Sequence, residues 1–369
     1  MRITFLCPPF DLTGGQRVVA IYAERLQKRG HRVFVVCPPR PKPSVREIAR
    51  SLLFHRKWPV RATASHLDGT DVERRVLDRP RPVTDADVPD ADVVIATWWE
   101  TAEWVTALAL SKGAKVYFLQ HHEVFEHLPA ERAGATWRLP LKKIVVAQWL
   151  ADLARDRYGD TDARLVPNAV DPDLFHAPPR GKNKVPVVGT MYTTVQFKAC
   201  DISLEAVRIA SAQLPGLRLV AFGSVPVDPL YPLPEGAEFH YRPPQDQIRE
   251  LYAQCDAWLF SSRTEGFGLP ILEAMACRTP VIGTPAGAAP ELISQGGGCL
   301  VKPDDPADMA AAIVQVCSQS DADWRGMSDA AYSTATKYTW DDATDLFEQA
   351  LMAAAGQAPS AERGEKKPD

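Results

Sequence analysis

Short apolar runs alternate with amphipathic segments along most of the chain, which is typical of domains built from parallel strands and helices. The first apolar run covers residues 2–7 and is followed by a segment with apolar residues at helical spacing that ends at Gly30. A second buried strand is predicted over residues 31–37. A strand, a glycine turn, a helix and a strand in this order predict the opening of a Rossmann-like domain.

The same alternation continues along the chain and predicts two α/β domains. A length of 369 residues favours two domains, and the polar, proline-rich segment 176–184 is typical of a linker. We expect a first domain over 1–170, a second over 171–339, a final amphipathic helix over 340–355 and a disordered tail over 356–369. Further strands are predicted over residues 92–97, 115–120, 142–147, 163–166, 185–189, 217–223, 238–242, 256–262 and 281–283.

The composition is that of an ordinary globular protein, with 46% apolar and 24% charged residues. A net charge of −4 argues against a dedicated nucleic-acid binder, because such proteins usually present a strongly basic face. No apolar run reaches the roughly 18 residues that a membrane span needs, and the N-terminal residues are expected to form a strand rather than a signal peptide. The seven dispersed cysteines form no zinc-binding pattern and predict reduced thiols in the cytoplasm.

Residues 44–58 form a basic amphipathic segment within the least regular part of the chain. Ser44 and Glu47 make a capping box, and apolar residues recur on one face of the predicted helix. Seven lysines and arginines lie between Arg40 and Arg61, opposed only by Glu47. The helix could lie on an anionic membrane, or it could pack on its own domain with the arginines in water, and the sequence leaves both open.

The stretch 261–291 carries the strongest local signal in the chain. Gly266 and Gly268 flank Phe267, and Pro270 stands where a helix would begin. An apolar helix and a short buried strand follow. A glycine loop that opens a helix presents unpaired N–H groups and roughly half a positive charge to an anion. The loop therefore predicts a binding site for phosphate.

Two carboxylates bracket this loop. Glu265 precedes the glycines, and Glu273 lies eight positions later, inside the predicted helix. A carboxylate beside a phosphate would repel it, so we expect both side chains to accept hydrogen bonds from neutral hydroxyls. Hydroxyls and phosphate together indicate a nucleotide sugar. The competing interpretation is a tight turn and a core helix in which the two glutamates only cap.

The conjunction of E-G-F-G-L-P, Glu273 in an apolar helix, P-V-I-G and a later P-E pair resembles the donor-site signature of glycosyltransferase family 4. These are group 1 retaining glycosyltransferases of the GT-B fold. The resemblance implies two Rossmann-like parallel-sheet domains facing each other across a cleft, with the C-terminal helix crossing back to the N-terminal domain. It also implies that Glu273 binds the ribose hydroxyls, that Glu265 lies at the sugar ring, and that N–H groups from Gly266 to Leu269 meet sugar and diphosphate.

A glycine pair, Gly14 and Gly15, follows the first predicted strand. The dinucleotide fingerprint G-x-G-x-x-G is absent there, so no nicotinamide cofactor is predicted. In the resembling family a glycine pair at this place faces the donor diphosphate. A simple turn that needs a positive φ is the alternative.

The strand predicted over 115–120 is followed by His121, His122 and Glu123. Because ligands of open α/β sheets gather at the carboxyl ends of strands, these side chains are expected at the site. Family members carry a His-Asp or His-Glu pair, or a Gln-x-x-Glu run, at this place, and the sequence fits either alignment. His122 is the first candidate for contact with the donor sugar or acceptor and His121 the second, and structural histidines are the alternative.

Lys198 lies just before a predicted helix, at the carboxyl end of a strand, where a lysine can bind a diphosphate. The resembling family pairs this lysine with an arginine after the strand glycine and follows it with a glycine. Here those two positions hold Thr190 and Ala199. Arg263 and Arg242 are the candidates to replace the missing cation. The alternative for Lys198 is a solvated loop charge.

The resemblance implies transfer of a hexosyl or deoxyhexosyl unit from a nucleoside-diphosphate sugar to a hydroxyl of a glycan or lipid-linked acceptor. Glu265, Lys198 and His122 are the expected catalytic residues. No D-x-D cluster is placed to hold a metal, so neither a metal nor another cofactor is expected. The expected location is the cytoplasm, where residues 44–58 could contact the inner membrane face.

Three alternatives stay open from the sequence. They are a nucleotide-sugar epimerase of the same fold, a phosphorylase-like enzyme, and a catalytically silent sugar-binding or scaffold subunit. The nucleotide (UDP, GDP or dTDP) and the sugar (glucose, mannose or rhamnose) are open as well, because backbone contacts are expected to hold much of the donor.

Overall fold

The computed structural model describes residues 1–40, 65–125 and 128–357. The chain divides into two compact units. Unit 1 comprises Met1–Val146, Leu150–Val166 and Thr344–Asp369, and unit 2 comprises Ala147–Trp149 and Pro167–Ala343. The basic amphipathic segment 44–58 and residues 358–369 of the predicted tail lie outside the described residues.

Unit 1 contains a seven-stranded sheet in which every pair of neighbours is parallel. Its strands are β1 (Arg2–Leu6), β2 (Arg32–Cys37), β3 (Glu73–Val76), β4 (Val93–Ala96), β5 (Ala114–Leu119), β6 (Lys142–Val145) and β7 (Arg164–Leu165). The α-helices that the structure describes in this part of the chain are α1 (Gly14–Lys28), α2 (Trp99–Ala107), α3 (Ala130–Ala135) and α4 (Gln148–Tyr158). The strand order is β3-β2-β1-β4-β5-β6-β7. The order therefore reverses between β1 and β4, which is where ligands of such sheets bind.

Unit 2 contains a six-stranded sheet, again with parallel neighbours throughout. Its strands are β8 (Val187–Met191), β9 (Arg218–Gly223), β10 (Glu238–Tyr241), β11 (Ala257–Phe260), β12 (Val281–Gly283) and β13 (Gly298–Leu300). Its helices are α5 (Cys200–Ser211), α6 (Gln245–Ala253), α7 (Leu269–Ala276), α8 (Ala289–Ile293), α9 (Pro306–Cys317) and α10 (Asp321–Thr336). The order β10-β9-β8-β11-β12-β13 reverses between β8 and β11.

The apolar runs of the sequence become the central strands of the two sheets. Strands β4 and β11 are buried at every position, because helices cover both faces of a parallel sheet. The hydrophobic pattern does not predict β3, whose sequence is ERRV and whose four residues are all exposed at the edge of the sheet. Strand β8 runs to Met191, two residues beyond the predicted end at Gly189, and α7 begins at Leu269, one residue before Pro270.

The last helix, α11 (Trp340–Ala354), packs against unit 1 from Thr344 onward. Phe347 is fully buried and stacks on Tyr22 with ring centroids 4.1 Å apart. Glu348 accepts hydrogen bonds from Arg29 Nη1 and His31 Nε2, each at 2.8 Å. The predicted return of the C-terminal helix to the first domain is confirmed. Among the helices that the structure describes, none has the length and apolar character needed to cross a bilayer.

Candidate functional site

Lys198 sits at the carboxyl end of β8, on the short connection to α5. A 3₁₀ turn over Gln196–Lys198 is followed by Ala199, whose φ of 47° and ψ of 41° place it in the left-handed region. That conformation suits glycine better than alanine. The turn directs the Lys198 amine to Glu265, and Lys198 Nζ donates a hydrogen bond to Glu265 Oε1. Both groups follow the two strands between which the sheet order reverses.

Glu265 follows β11 and is only 8% exposed. The same Oε1 atom also accepts a hydrogen bond from Ser262 Oγ at 2.9 Å. Ser262 is held in turn, because Thr284 Oγ1 donates to its carbonyl oxygen at 2.5 Å. Ser261 Oγ donates to the Ala199 carbonyl at 2.6 Å and so ties the Lys198 turn to the end of β11. No motif predicts these hydroxyl contacts, although Ser261 and Ser262 lie inside the signature stretch.

The carbonyl oxygens of Gly266 and Phe267 in the glycine loop both accept hydrogen bonds. Trp149 Nε1 donates to the Gly266 carbonyl at 2.8 Å, and the Ala288 amide donates to the Phe267 carbonyl at 2.9 Å. In a trans peptide the next N–H points away from the carbonyl, so the amides of Phe267 and Gly268 point away from these donors. No side chain of the described residues caps the N-terminus of α7. An anion would meet these amides and the positive end of the helix dipole.

Two glycines fix the shape of this loop. Gly268 precedes α7 with a φ of 97°, which glycine adopts without steric cost. Gly287 approaches the loop so closely that a Cβ atom there would lie 2.6 Å from the Phe267 carbonyl oxygen and 2.9 Å from Glu265 Cβ. Gly268 is predicted from the glycine motif, whereas Gly287, which follows β12, belongs to no motif that would predict its role.

Glu273 lies on α7, the helix that begins directly after the glycine loop, and is 9% exposed. Its Oε2 atom accepts a hydrogen bond from the Tyr252 hydroxyl at 2.9 Å. Tyr252 belongs to α6 and is fully buried. The second glutamate of the signature is thus held by a buried tyrosine hydroxyl on another helix, which no sequence motif predicts.

The two candidate replacement arginines occupy different positions. The Arg263 guanidinium bonds the Gln196 carbonyl and Asp304 Oδ1, the latter at 2.6 Å, so it braces the Lys198 turn. Arg242 follows β10 with a φ of 50°, and its Nε atom donates to the Ser224 carbonyl at 3.0 Å. Thr190 is buried, and its hydroxyl donates to the Leu259 carbonyl at 3.3 Å. A small pocket lies beside Thr190 and Lys198 and is also lined by Ser262 and Pro270.

In unit 1, Gly14 and Gly15 open α1 after the first strand. Gln120 Nε2 donates to the Gly15 carbonyl at 3.1 Å, and a Cβ atom at Gly15 would lie 3.6 Å from that nitrogen, an ordinary contact. Gly15 therefore lies beside Gln120, the residue that follows β5. No side chain of the described residues caps the N-terminus of α1.

The His121-His122-Glu123 segment combines three differently placed side chains. The Glu123 amide donates to His121 Nδ1 at 3.2 Å, which leaves the ring proton of a neutral His121 on Nε2. His122 Nε2 lies 2.8 Å from the Tyr158 hydroxyl, and the imidazole packs edge-on to Trp137. Burial and nearby Arg157 lower the pKa of His122 to about 4, so the ring is neutral at pH 7.

Glu123 is 2% exposed and adopts a φ of 60°. The Trp99 amide, at the start of α2, donates to Glu123 Oε2 at 2.7 Å, and the Tyr117 hydroxyl donates to the same atom at 3.2 Å. Burial raises the pKa of Glu123 to about 8, although both hydrogen bonds oppose the shift. A carboxyl group that holds its proton near neutral pH is unusual and marks this turn as a functional candidate.

The structure thus brings the predicted residues together in two groups. In unit 2, Lys198, Glu265 and the amides of Gly266–Leu269 share the carboxyl edge of the sheet, with Glu273 on the helix that follows. In unit 1, the glycine pair and the two histidines share the carboxyl edge of the other sheet. Within the described ranges, no three His, Cys, Asp or Glu side chains cluster so as to hold a metal ion.

Sequence comparison finds two family matches, which lie largely in unit 1 and in unit 2, respectively. Residues 12–174 match the family described as "Glycosyltransferase Family 4", and residues 182–319 match "Glycosyl transferases group 1". The O-antigen chain mannosyltransferase B of Escherichia coli is 34% identical over 102 residues, which is 27% of this chain and 26% of that protein. A D-inositol 3-phosphate glycosyltransferase of Geodermatophilus obscurus is 31% identical over 241 residues, 57% of this chain and 53% of that protein. The chain thus spans between about a quarter and about half of the length of these relatives.

Solved structures match over almost the whole chain. The Anabaena protein Alr3699/HepE, crystallised with UDP and glucose, superposes with a TM-score of 0.73 at 17% identity, covering 96% of this chain and 100% of that one. At this identity the likeness establishes the fold alone. Together with the two family matches and the signature at 261–291, it identifies two Rossmann-like domains of the GT-B type. The chain belongs to the group 1, family 4 glycosyltransferases.

Proposed function

We propose that this protein is a retaining glycosyltransferase that moves a hexosyl or deoxyhexosyl unit from a nucleoside-diphosphate sugar to a hydroxyl of a glycan or lipid-linked acceptor. The observation that supports the proposal most is the hydrogen bond between Lys198 and Glu265. These residues follow β8 and β11, the two strands between which the sheet order reverses, and the amides of Phe267 and Gly268 come directly after Glu265 and Gly266 in the chain. A cation, an acid and a row of amides at one edge suit a ligand that carries both hydroxyls and a diphosphate.

The proposed chemistry is dominated by charge on the leaving diphosphate. Breaking the bond between the anomeric carbon and the phosphate oxygen leaves negative charge on the diphosphate, and stabilising that charge lowers the barrier. Lys198 and the N-terminus of α7 supply the positive electrostatics. Arg263 acts indirectly, since its guanidinium fixes the turn that carries Lys198. The proposal includes no metal ion and no other cofactor.

Glu265 is proposed to orient the transferred sugar and to stabilise positive charge at the anomeric carbon. For retention, the acceptor hydroxyl attacks on the face from which the diphosphate leaves, and its proton passes to the leaving phosphate oxygen. In unit 1, His121 and His122 are the candidates for contact with the acceptor.

The relatives and the signature guide the choice of substrates. A mannosyltransferase acting on O-antigen and a glycosyltransferase acting on inositol 3-phosphate are among the relatives, and the Anabaena neighbour was crystallised with UDP and glucose. Mannosyl and glucosyl donors and polyol or glycan acceptors are therefore the first to examine. We also propose a cytoplasmic location. Contact of residues 44–58 with the inner membrane face is tested by flotation with anionic vesicles.

The test is a turnover assay with UDP-, GDP- and dTDP-sugars in the presence and absence of acceptors. The proposal predicts nucleotide release that depends on an acceptor, and a product whose anomeric configuration by NMR equals that of the donor. Conversion of the donor without an acceptor would indicate an epimerase, and binding without turnover would indicate a silent subunit. Glu265→Gln should lose activity, whereas Glu235→Gln, an exposed glutamate of the same unit, should retain it.

A further inference from the structure

We propose that Tyr252 is a positioning residue of the nucleotide site, whose hydroxyl holds the Glu273 carboxylate in the orientation that accepts the ribose hydroxyls. The inference rests on the proposed function, because it takes Glu273 as the ribose acceptor. Neither the signature at 261–291 nor the spacing of the two glutamates points to this tyrosine, which lies on a different helix.

The hydrogen bond joins two buried side chains on neighbouring helices. Tyr252 Oη donates to Glu273 Oε2 at 2.9 Å. The other side chains of α7 from Ile271 to Ala276 are apolar, and a carboxylate placed among them needs hydrogen-bonding partners to be tolerated. A glutamate side chain also has three rotatable bonds. A fixed donor therefore selects one orientation of the carboxylate among several.

Tyr252 is itself fixed at both ends. Its ring lies 4.4 Å from the Trp258 ring and 5.6 Å from the Phe222 ring, between centroids. Its carbonyl oxygen accepts hydrogen bonds from Thr279 Oγ1 at 2.7 Å and from the Cys255 amide at 3.0 Å. The hydroxyl has no room to follow a moving carboxylate, so it acts as a preorganised support for the binding group.

With the Tyr252 hydrogen bond in place, the Glu273 carboxylate can still accept hydrogen bonds from the vicinal diol of a ribose. An ionised carboxylate has about four lone-pair sites on its two oxygens, so Oε2 can accept from Tyr252 and from a ligand hydroxyl together. The ribose does not change during sugar transfer. An interaction with it is therefore equally strong in the ground state and the transition state, and its loss raises KM for the donor while kcat stays constant.

The experiment compares wild type and Tyr252→Phe with two ligands. The first is whichever of UDP, GDP and dTDP the wild type binds most tightly by calorimetry. The second is its analogue without hydroxyls on the ribose, which is the 2′,3′-dideoxy compound for UDP and GDP and the 3′-deoxy compound for dTDP. Wild type should prefer the hydroxylated nucleotide. In Tyr252→Phe that preference should fall about tenfold, which is the value of one hydrogen bond to a charged group. The donor KM should rise about tenfold, with kcat within about twofold of wild type.

Tyr192→Phe is the matched control. Tyr192 is another fully buried tyrosine of unit 2. Within the part of the chain that the structure describes, its hydroxyl bonds backbone groups, the Tyr231 carbonyl at 2.9 Å and the Asp228 amide at 2.8 Å. It should keep the full preference for the hydroxylated nucleotide. Because each preference is a ratio measured on one folded variant, a loss of overall stability cancels.

Two results would overturn the inference while leaving the proposed function intact. One is an unchanged preference in Tyr252→Phe, and the other is an equal loss of affinity for both nucleotides, which would indicate damaged packing rather than a misplaced carboxylate. If the wild type bound none of the three nucleotides, the proposed function itself would fail. If it bound one but ignored the ribose hydroxyls, the role of Glu273 would be wrong, and that of Tyr252 with it.

Discussion

The Lys198 amine and the Glu265 carboxylate form an ion pair at the carboxyl ends of β8 and β11, and Ser262 donates to the same carboxylate oxygen. In the proposed reaction Lys198 must bind the diphosphate, so the ligand competes with Glu265 for the lysine. The two groups therefore oppose each other in nucleotide binding, although both are required for turnover.

Glu265→Gln should consequently separate binding from catalysis. Removing the carboxylate charge releases Lys198, so affinity for the nucleoside diphosphate should stay equal or rise by up to about tenfold, while turnover falls by about 100-fold or more. Lys198→Ala should lose about 10- to 100-fold in the same affinity. Calorimetry and a turnover assay measure the two effects. Lys302→Ala, an exposed lysine next to β13, is the control and should bind normally. Weaker nucleotide binding by Glu265→Gln would contradict this account of the pair.

Ala199 offers a test of the backbone at the Lys198 turn. Its left-handed conformation costs an L-residue about 1–2 kcal/mol, which glycine avoids. Glycine also loses the buried methyl group and gains entropy in the unfolded state, so Ala199→Gly should leave the free energy of unfolding within about 0.5 kcal/mol of wild type. Ala206→Gly, at an equally buried helical position of α5, should destabilise by about 1–2 kcal/mol.

Chemical denaturation of both variants measures the difference. Equal losses of stability would show that Ala199 is not strained. The outcome matters for function, because a turn under strain is one way to hold a lysine where its ligand needs it.

The parts of the fold that follow from short-range pattern could be predicted. Strands such as β4 and β11 are continuous apolar runs, and the glycine loop before α7 has its own chemistry. Strand β3 could not be predicted, because its charged residues are exposed and only pairing with β2 makes it a strand. Helix α10 was not predicted either, because its residues lie outside the family signature and form no motif.

The same limit applies to the candidate site. Lys198, Glu265 and Glu273 could be named because their positions in the sequence match a family pattern. Their partners could not, since Tyr252 meets Glu273 across 21 residues of sequence. Arg263 was named for its charge, which predicts a ligand contact, and the structure adds the bonds of its guanidinium to Asp304 and the Gln196 carbonyl. Which donor meets which acceptor is a property of the folded chain.

Glu123 predicts an unusual dependence of stability on pH. Its folded-state pKa of about 8 lies above the ordinary value for glutamate, so the folded chain holds a proton that the unfolded chain releases. The stability due to this group is fully present below about pH 4.5 and is lost as the pH rises through 8, with a slope of up to about 1.4 kcal/mol per pH unit.

Glu123→Gln should remove that slope, because the amide oxygen can still accept hydrogen bonds from Trp99 and Tyr117 but does not ionise. Thermal unfolding between pH 5 and pH 8.5 should show that the stability of the variant increases relative to that of wild type as the pH rises. A constant difference between the two proteins over this range would mean that Glu123 is ionised in the folded state.

The packing of α11 in unit 1 predicts that removing one aromatic ring, that of Phe347, strongly destabilises the protein. Phe347 lies against Tyr22 and Phe118, with centroid distances of 4.1 Å and 5.0 Å. Phe347→Ala should cost about 3–5 kcal/mol, whereas Leu346→Ala, whose side chain is 39% exposed, should cost less than about 1 kcal/mol. Denaturant unfolding of the two neighbours compares them directly. Similar small losses would mean that the last helix is not part of the first unit's core.

In the proposed function, the main-chain amides from Phe267 to Leu269 and the Lys198 amine bind the diphosphate of a nucleotide sugar. The most direct test is a crystal structure of the protein with the nucleoside diphosphate that it binds most tightly. We predict phosphate oxygens within hydrogen-bonding distance of those amides and of Lys198 Nζ, and ribose hydroxyls on the Glu273 carboxylate. A diphosphate bound elsewhere, with the Lys198–Glu265 pair intact, would contradict the account.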